Sequence, residues 1–219
     1  MSIKIYLSPS SQDTNPYIVG GTNEAEQCRK IAKALDADLK RCGFEVKTGL
    51  TGTMYTRVAE SNAWGADAHI PIHTNSFDGK VAGFRGFYYN KSSEGYPLVD
   101  AIMDAVAPIT PGTSDGVSAY PGLYEMKASN APCAYLELGF HDNKEEAKYI
   151  IDHTDDLAEA ICKGICNHYK KQYVAKKVDT TGKKLYRVQV GAFSNYEYAT
   201  DLMDKLKAAG YKDAFIKAN

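Results

Sequence analysis

The sequence predicts an α/β fold: a central mixed sheet flanked by helices on both faces, plus a small C-terminal β-α-β module. Strand-like apolar segments alternate with amphipathic helical segments over residues 1–173, which is typical of a sheet covered by helices. Residues 174–184 are polar, charged and without periodicity, as linkers are. A short strand–helix–strand pattern occupies residues 185–219. We therefore predict a main domain, a linker and a small repeat with these bounds.

The first half of the chain is predicted from periodicity and from helix end signals. Thr22 or Asn23 caps the first helix, acidic residues occupy its opening turn, and Gly43 ends it. The predicted strands are residues 3–8, 44–48, 68–73 and 83–89, and the predicted helices are residues 24–42, 54–64 and 93–107.

The second half begins with a predicted loop from Pro111 to Gly122. A long helix over residues 144–170 carries apolar residues at helical spacing and is predicted to break near His153. The remaining predictions are strands at residues 123–126, 134–138, 185–193 and 213–217, and a helix at residues 195–209.

Composition excludes several classes of protein. Lys and Arg number 26 against 27 Asp and Glu, so the chain has no overall attraction to nucleic acid. No segment approaches the roughly 18 consecutive apolar residues of a membrane span. The N-terminus lacks the apolar core of a signal peptide. The five cysteines form no C-x-x-C pair, and we expect them to be reduced and buried.

Polar residues at three predicted strand ends are the candidates for chemistry, because α/β sheets place their sites at the carboxyl edge. The first strand runs into Ser8-Pro9-Ser10-Ser11-Gln12, and another ends in His73-Thr74-Asn75. Glu137 stands inside an apolar strand, either facing solvent on an edge strand or as a desolvated carboxylate. Taken singly, His73 is typical of a core histidine and Glu24 of a helix-start carboxylate.

In this order the segments resemble a family, the zinc-dependent N-acetylmuramoyl-L-alanine amidases of bacterial and phage cell-wall lysis. The resemblance covers about three-quarters of the chain and is carried by Asn23-Glu24, by Ile72-His73-Thr74-Asn75-Ser76 and by Tyr135-Leu136-Glu137-Leu138-Gly139-Phe140-His141-Asp142-Asn143. It implies that Glu24 and His73 bind Zn²⁺ and that Glu137 is the catalytic acid/base. It also implies hydrolysis of the amide between N-acetylmuramic acid and L-alanine in peptidoglycan. Asn75 and His141 are candidate substrate contacts, with a structural role open for His141.

One position departs from the family pattern. The family places a zinc-binding His after the first strand, where this chain has Ser11 or, with a shift of one residue, Gln12. A neutral amide oxygen binds zinc more weakly than imidazole does, and we expect Gln12 to be the third ligand, directly or through a water. His69 shares a strand face with His73 but lies about 13 Å back along the strand, which favours a core position. The departure leaves open a non-catalytic peptidoglycan-binding protein on an amidase fold.

The tail has a resemblance of its own. The tail is similar to the sporulation-related (SPOR) repeat. The similarity lies in Tyr186-Arg187-Val188-Gln189-Val190-Gly191-Ala192-Phe193-Ser194, followed by a helix and Gly210-Tyr211. The resemblance implies binding to peptidoglycan glycan. A single repeat is present, so we expect a homodimer to complete the binding surface, unless the tail is only a packing appendage. With the N-terminus described above, we expect synthesis in the cytoplasm and action on the wall after a holin-type lesion or cell lysis.

Overall fold

A computed structural model describes residues 2–91, 93–112, 116–176, 189–211 and 214–217. The chain divides into two compact units, Met1–Lys176 and Lys177–Asn219. The strands are β1 (Lys4–Pro9), β2 (Glu45–Thr48), β3 (Ala68–Asn75), β4 (Arg85–Tyr88), β5 (Gly116–Ala119) and β6 (Tyr135–Phe140). The helices are α1 (Glu24–Arg41), α2 (Met54–Trp64), α3 (Gly95–Val106), α4 (Tyr124–Ala128), α5 (Lys144–Asp152), α6 (Thr154–His168) and α7 (Tyr196–Ala208).

The six strands of the first unit form one mixed sheet in the order β2-β1-β3-β6-β4-β5. Strands β2, β1, β3 and β6 are parallel, β4 runs antiparallel to β6, and β5 is parallel to β4. The parallel strands bring the carboxyl ends of β1, β3 and β6 to one edge. At that edge His73 is the register partner of Glu137, and one extra residue in β6 then shifts the pairing to Asn75 with Phe140. Gly139, with a φ of +84°, lies in this bulge, where a left-handed backbone favours glycine.

The two faces of the sheet differ in chemistry because side chains alternate along each strand. One face is apolar and packs in the main core with α1, α3 and α6; it includes Ile5, Leu7, Ile70, Ile72, Leu136 and Leu138. The opposite face, here the polar face, carries Tyr6, Ser8, His69, His73 and Glu137. Helices α2 and α4 contact each other and supply hydrogen-bond partners to the polar face. Helices therefore cover both faces, as predicted.

Local sequence accounts for the main helices. The Asn23 side chain caps α1 by accepting from the Glu26 amide, and it leaves Glu24 as the first, buried residue of the helix. His153 separates α5 from α6, at the predicted break. Gly164 lets α6 approach α3 closely, because a Cβ at this position would lie 2.5 Å from the Ile102 Cα.

Two predicted elements are wrong, and two are only partly described. Residues 123–126 are not a strand, because Tyr124 begins the short helix α4. Within the predicted loop from Pro111 to Gly122, residues 116–119 pair with β4 as strand β5. In the tail, residues 189–193 and 214–217 form no strand; the other residues of those two predicted strands lie outside the described part.

The second unit contains the predicted tail helix, α7. The Asn195 side chain caps it by accepting from the Glu197 amide, and Tyr196 and Tyr198 on its first turn are exposed. No helix in the described part of the chain combines the length and the apolar character that a bilayer span requires.

Candidate active site

The predicted site residues converge at the carboxyl edge of the sheet, beside the N-terminus of α1. A cleft of about 530 Å³ opens there, and its wall includes Gln12, Arg57, His73, Tyr124 and Glu125. Ligands of α/β sheets bind at this edge because the strand ends and helix N-termini meet there. The topology therefore brings the ends of β1 and β3 to this cavity, with the start of α1 in contact with His73 through Glu24.

Glu24 and His73 lie in direct contact. The His73 Nδ1 is 2.9 Å from Glu24 Oε1, both side chains are buried, and the imidazole stacks on Tyr135 with a ring separation of 4.7 Å. The other Glu24 oxygen, Oε2, accepts from the Asn15 side-chain amide at 2.8 Å. Burial opposes ionisation of Glu24, but the hydrogen bond and charge of His73 together with hydrogen bonds from Asn15 and Ser10 outweigh burial and lower the pKa of the carboxyl.

Two carboxylates flank the His73 ring on opposite sides. Its Nε2 is buried, has no hydrogen-bond partner among the described residues, and lies 3.9 Å from Glu125 Oε2. Burial disfavours the imidazolium, but the neighbouring Glu125 and Glu24 carboxylates raise the pKa of His73 to about 9. This pocket therefore stabilises positive charge at the His73 position.

Glu137 is partly buried on the same face, across from His73 in the strand register. Its Oε2 is buried and has no hydrogen-bond partner among the described residues. Desolvation raises the pKa of Glu137 to about 7, against the opposing attraction of His73. A carboxyl with this pKa exchanges a proton readily near neutral pH, as a general acid/base must.

Glu125 is a functional candidate that the sequence analysis missed. It lies on α4, is buried, accepts a hydrogen bond from the Ser8 hydroxyl, and is 3.2 Å from His69 Nε2. Burial alone would raise its pKa, but the hydrogen bond with His69 and the nearby His73 imidazole lower it to about 2. The one signal was a lone Glu between Tyr124 and Met126, the same kind of pattern that drew attention to Glu137.

His69 occupies the core position that was expected. It is fully buried, stacks on Tyr6, and its Nδ1 lies 3.0 Å from Ser61 Oγ on α2. Ser8, His69, Ser61 and Glu125 therefore form a connected hydrogen-bonded network, here the polar-face network. The network fixes the Glu125 carboxylate close to the His73 ring.

Gln12, in the loop after β1, does not offer a free metal ligand to the His73–Glu24 pair. Gln12 is exposed, and its Oε1 accepts from the Asn15 amide at 3.0 Å. The same Asn15 amide donates to Glu24, so Gln12 is connected to Glu24 through Asn15. Ser11 also lies at the cleft, with its hydroxyl 3.5 Å from the guanidinium of the buried Arg57.

Asn75 and His141 lie next to the cleft without lining it. The Asn75 carbonyl accepts from the His141 amide, and the Asn75 side chain accepts from the Ser76 amide. His141 is buried, stacks on Tyr17, and has its Nδ1 3.0 Å from the Thr74 hydroxyl. These contacts indicate a structural role for His141, which packs against the loop that leads to α1.

His73, which lines the cleft, and the buried Glu24 in contact with it are two converged metal donors. Neighbouring ligands of a four-coordinate zinc ion lie about 3.3 Å apart for nitrogen and oxygen donors, and the 2.9 Å between His73 Nδ1 and Glu24 Oε1 is close to that. In the described part of the chain, the one group of three His, Cys, Asp or Glu ligand atoms within 4.8 Å of one another is Cys42, Cys162 and Cys166. A cation held by His73 and Glu24 would thus have two protein ligands from these residue types, with Glu137 across from His73 in the strand register.

Two family models match this chain, and curated relatives match it as well. The model of the N-acetylmuramoyl-L-alanine amidase family matches residues 5–167, and the SPOR domain model matches residues 167–218. The sporulation-specific N-acetylmuramoyl-L-alanine amidase of Bacillus subtilis is 25% identical over 216 residues, which cover 95% of this chain and 82% of that protein. The germination-specific amidase of the same organism is 29% identical over 119 residues, covering 53% of this chain and 50% of that protein.

Solved structures share the fold of the first unit. The N-acetylmuramoyl-L-alanine amidase AmiC2 of Nostoc punctiforme superposes with a TM-score of 0.70 at 22% identity, covering 77% of this chain and 97% of that one. The catalytic domain of the amidase CwlV from Paenibacillus polymyxa gives a TM-score of 0.70 at 20% identity, covering 78% and 100%. With a family model that matches most of its length and a site at the expected edge, the chain belongs to the N-acetylmuramoyl-L-alanine amidase family and carries a C-terminal SPOR domain.

Proposed function

We propose that this chain is a zinc-dependent amidase that cleaves the bond between the lactyl group of N-acetylmuramic acid and the first L-alanine of the peptidoglycan stem peptide. The observation that carries the proposal is Glu137, a carboxyl with one unpartnered buried oxygen, set across from the His73–Glu24 pair at the edge of the sheet. Membership in the amidase family supplies the substrate class.

The residues present fit a metal ion. The amidase family is typically metal-dependent. His73 and Glu24 offer nitrogen and oxygen donors, and the carboxylates of Glu24 and Glu125 give the pocket an excess of negative charge. When bound, zinc would polarise the amide carbonyl and lower the pKa of a bound water. Asn15 orients the Glu24 carboxylate, and the polar-face network holds Glu125 beside His73.

Glu137 moves the protons in this proposal. Its ionised form takes a proton from the attacking water, and its protonated form then donates to the departing amide nitrogen. A pKa of about 7 makes both forms accessible at neutral pH. Without that second proton transfer the nitrogen would leave as a poor, anionic group.

An aromatic rim fits the muramyl part of the substrate. Tyr55 and Tyr124 line the cleft, are exposed, and pack edge to face with ring centroids 4.5 Å apart. Exposed aromatic rings offer apolar faces on which sugars and lactyl groups pack. The SPOR domain would hold the glycan strand, and the homodimer expected for it stays a prediction.

The test compares Glu137→Gln with wild type on purified cell walls, measuring release of free muramic-acid ends and bound zinc. We expect activity to fall at least about 100-fold, the usual scale for loss of a general acid/base, while zinc and fold remain. Glu159→Gln, the same change at a more exposed carboxylate that pairs with Lys163, is the matched control and should keep full activity. Full activity in Glu137→Gln would place the acid/base elsewhere.

The metal part of the proposal has a separate test. His73→Ala and Glu24→Ala should each lose one equivalent of bound zinc together with activity, because each removes one of two converged donors. A zinc content equal to that of wild type in both variants would show that the ion binds elsewhere.

A second candidate is a non-catalytic peptidoglycan-binding protein. It is favoured by one observation: the Gln12 side-chain oxygen accepts a hydrogen bond from Asn15, at the position where the family has a third metal ligand. Wild-type protein that binds walls but holds no zinc and releases no muramic-acid ends would decide for this candidate.

A further inference from the structure

Three buried cysteines meet at the end of α1 opposite to the cleft. Cys42 is the C-terminal cap of α1, and Cys162 and Cys166 lie one turn apart on α6. All three sulfurs lie within 4.8 Å of one another, and the Cys42 and Cys162 sulfurs are 3.7 Å apart. Helix α1 has 18 residues and is therefore about 27 Å long, so this cysteine cluster is remote from Glu24.

We propose that the cysteine cluster is a structural site for a thiophilic divalent ion, with zinc as its natural occupant. Sulfur ligands of tetrahedral zinc lie about 2.3 Å from the ion, and therefore about 3.8 Å from each other. The separation of the Cys42 and Cys162 sulfurs is close to this value. The Val174 carbonyl oxygen lies 3.9 Å from the Cys42 sulfur, near enough to be the fourth ligand of such an ion.

The charges around the cysteine cluster suit such an ion. Three thiolates and one zinc ion carry a single net negative charge, which is costly to bury alone. Arg41 precedes Cys42 and donates to the Val174 carbonyl, and Lys171 donates to the Gly43 carbonyl. Burial raises the pKa of the Cys166 thiol to about 11, and the charge of Lys171 partly opposes that shift. Two cations are therefore held near the cysteine cluster, of which Arg41 also pairs with Asp38.

The ion would tie three parts of the first unit together. These are the end of α1, the helix α6, and the segment around Val174, whose amide donates to the Cys42 sulfur at 3.3 Å. That segment lies just before the end of the first compact unit at Lys176. The site would therefore stabilise the point at which the chain leaves the catalytic fold, and it does not depend on the proposed catalytic metal.

Cobalt(II) is the probe for this proposal, on the full chain prepared with a reductant. Sulfur ligands give cobalt an intense near-ultraviolet charge-transfer absorption, which the nitrogen and oxygen donors of His73 and Glu24 do not. We expect one equivalent of cobalt with this absorption in wild type and in the His73→Ala variant. Each of Cys42→Ala, Cys162→Ala and Cys166→Ala should weaken binding by more than about 100-fold, since losing a ligand costs more than losing an outer partner.

Cys133→Ala is the matched control, because Cys133 is equally a buried free thiol but lies outside the cysteine cluster. It should keep the absorption. If wild type shows none at saturating cobalt, or if Cys42→Ala retains it, the three thiols only pack.

Wild-type protein provides a readout that does not depend on the folding of variants. In mild urea, zinc should slow alkylation of the three clustered cysteines, mapped by mass spectrometry, at least about 10-fold relative to chelator, because a sulfur bound to the ion cannot attack the reagent. Cys133 is the internal reference for general stabilisation. Equal protection of Cys133 and the clustered cysteines would overturn the proposal.

Discussion

Replacing the proposed catalytic carboxylate should make the protein more stable at alkaline pH. In Glu137→Gln the charge is removed from a position where one oxygen is buried without a partner. The folded-state pKa of about 7, against an ordinary value of 4.5, means that folding favours the protonated form. The protonated carboxyl therefore contributes its full stability to the folded wild type below pH 4.5. That contribution is lost as the pH rises through about 7.

The size of the effect follows from the pKa. At about 1.4 kcal/mol for each pH unit, the ionised carboxylate costs the folded state roughly 3 kcal/mol at pH 8. Partial exposure of Glu137 to solvent reduces this, so we expect Glu137→Gln to gain about 1–3 kcal/mol at pH 8 and clearly less at pH 5. Glutamine keeps the shape of the side chain, so packing should change little.

Urea unfolding followed by circular dichroism, at pH 5 and pH 8 with a chelator present, measures this gain. The chelator matters because a bound cation would offset the charge. Glu159→Gln, whose pKa is lowered by its hydrogen bond with Lys163, should show no gain at pH 8. A Glu137→Gln protein no more stable than wild type at pH 8, or equally stabilised at both pH values, would refute the argument.

Three further predictions concern the rest of the site and the tail. Glu125→Gln should lower the free energy of unfolding by roughly 3 kcal/mol at pH 7, because it breaks a buried ionic contact. Its folded pKa of about 2 lies below the ordinary 4.5, so the difference from wild type in urea unfolding should shrink between pH 4.5 and pH 2; a constant difference would contradict the assignment. Gln12→Ala should lower zinc occupancy at limiting zinc, and Gln12→His should raise it, as measured by competition with a chromogenic chelator; unchanged affinity in both would remove Gln12 from the site. Deleting residues from 180 onward should spare hydrolysis of a small soluble muropeptide but weaken pelleting with intact walls, and unchanged pelleting would make the tail a packing element.

Much of the site could be predicted because it depends on local signals and on topology. An Asn at a helix start places the next residue in the first turn, and parallel strands bring their ends to one edge. Those two facts bring Glu24 and His73 together, although they are 49 positions apart. The burial of Glu137 was left open because an apolar run with one charge fits both an edge strand and an inner strand. The position of β6 between β3 and β4 settles that it is an inner strand.

Other features could not be predicted because they depend on distant partners. Glu125 belongs to a five-residue helix, too short for a helical period to appear in the sequence. Strand β5 is only four residues long and exists through its pairing with β4. The orientation of the Gln12 amide is fixed by Asn15, which also serves Glu24. No local sequence pattern predicts that the Asn15 amide donates to both side chains.

The polar-face network constrains how this protein can change over time. Ser8, His69 and Glu125 come from β1, β3 and α4, and each satisfies a buried polar atom of another. A single change to an apolar residue leaves a partner buried and unsatisfied, which costs about 1–3 kcal/mol or more for a charge. Only concerted replacement of several members avoids that loss. Mutagenesis that samples one position at a time should therefore find almost every change at these positions harmful, whereas libraries that vary the three together should recover stable, apolar alternatives.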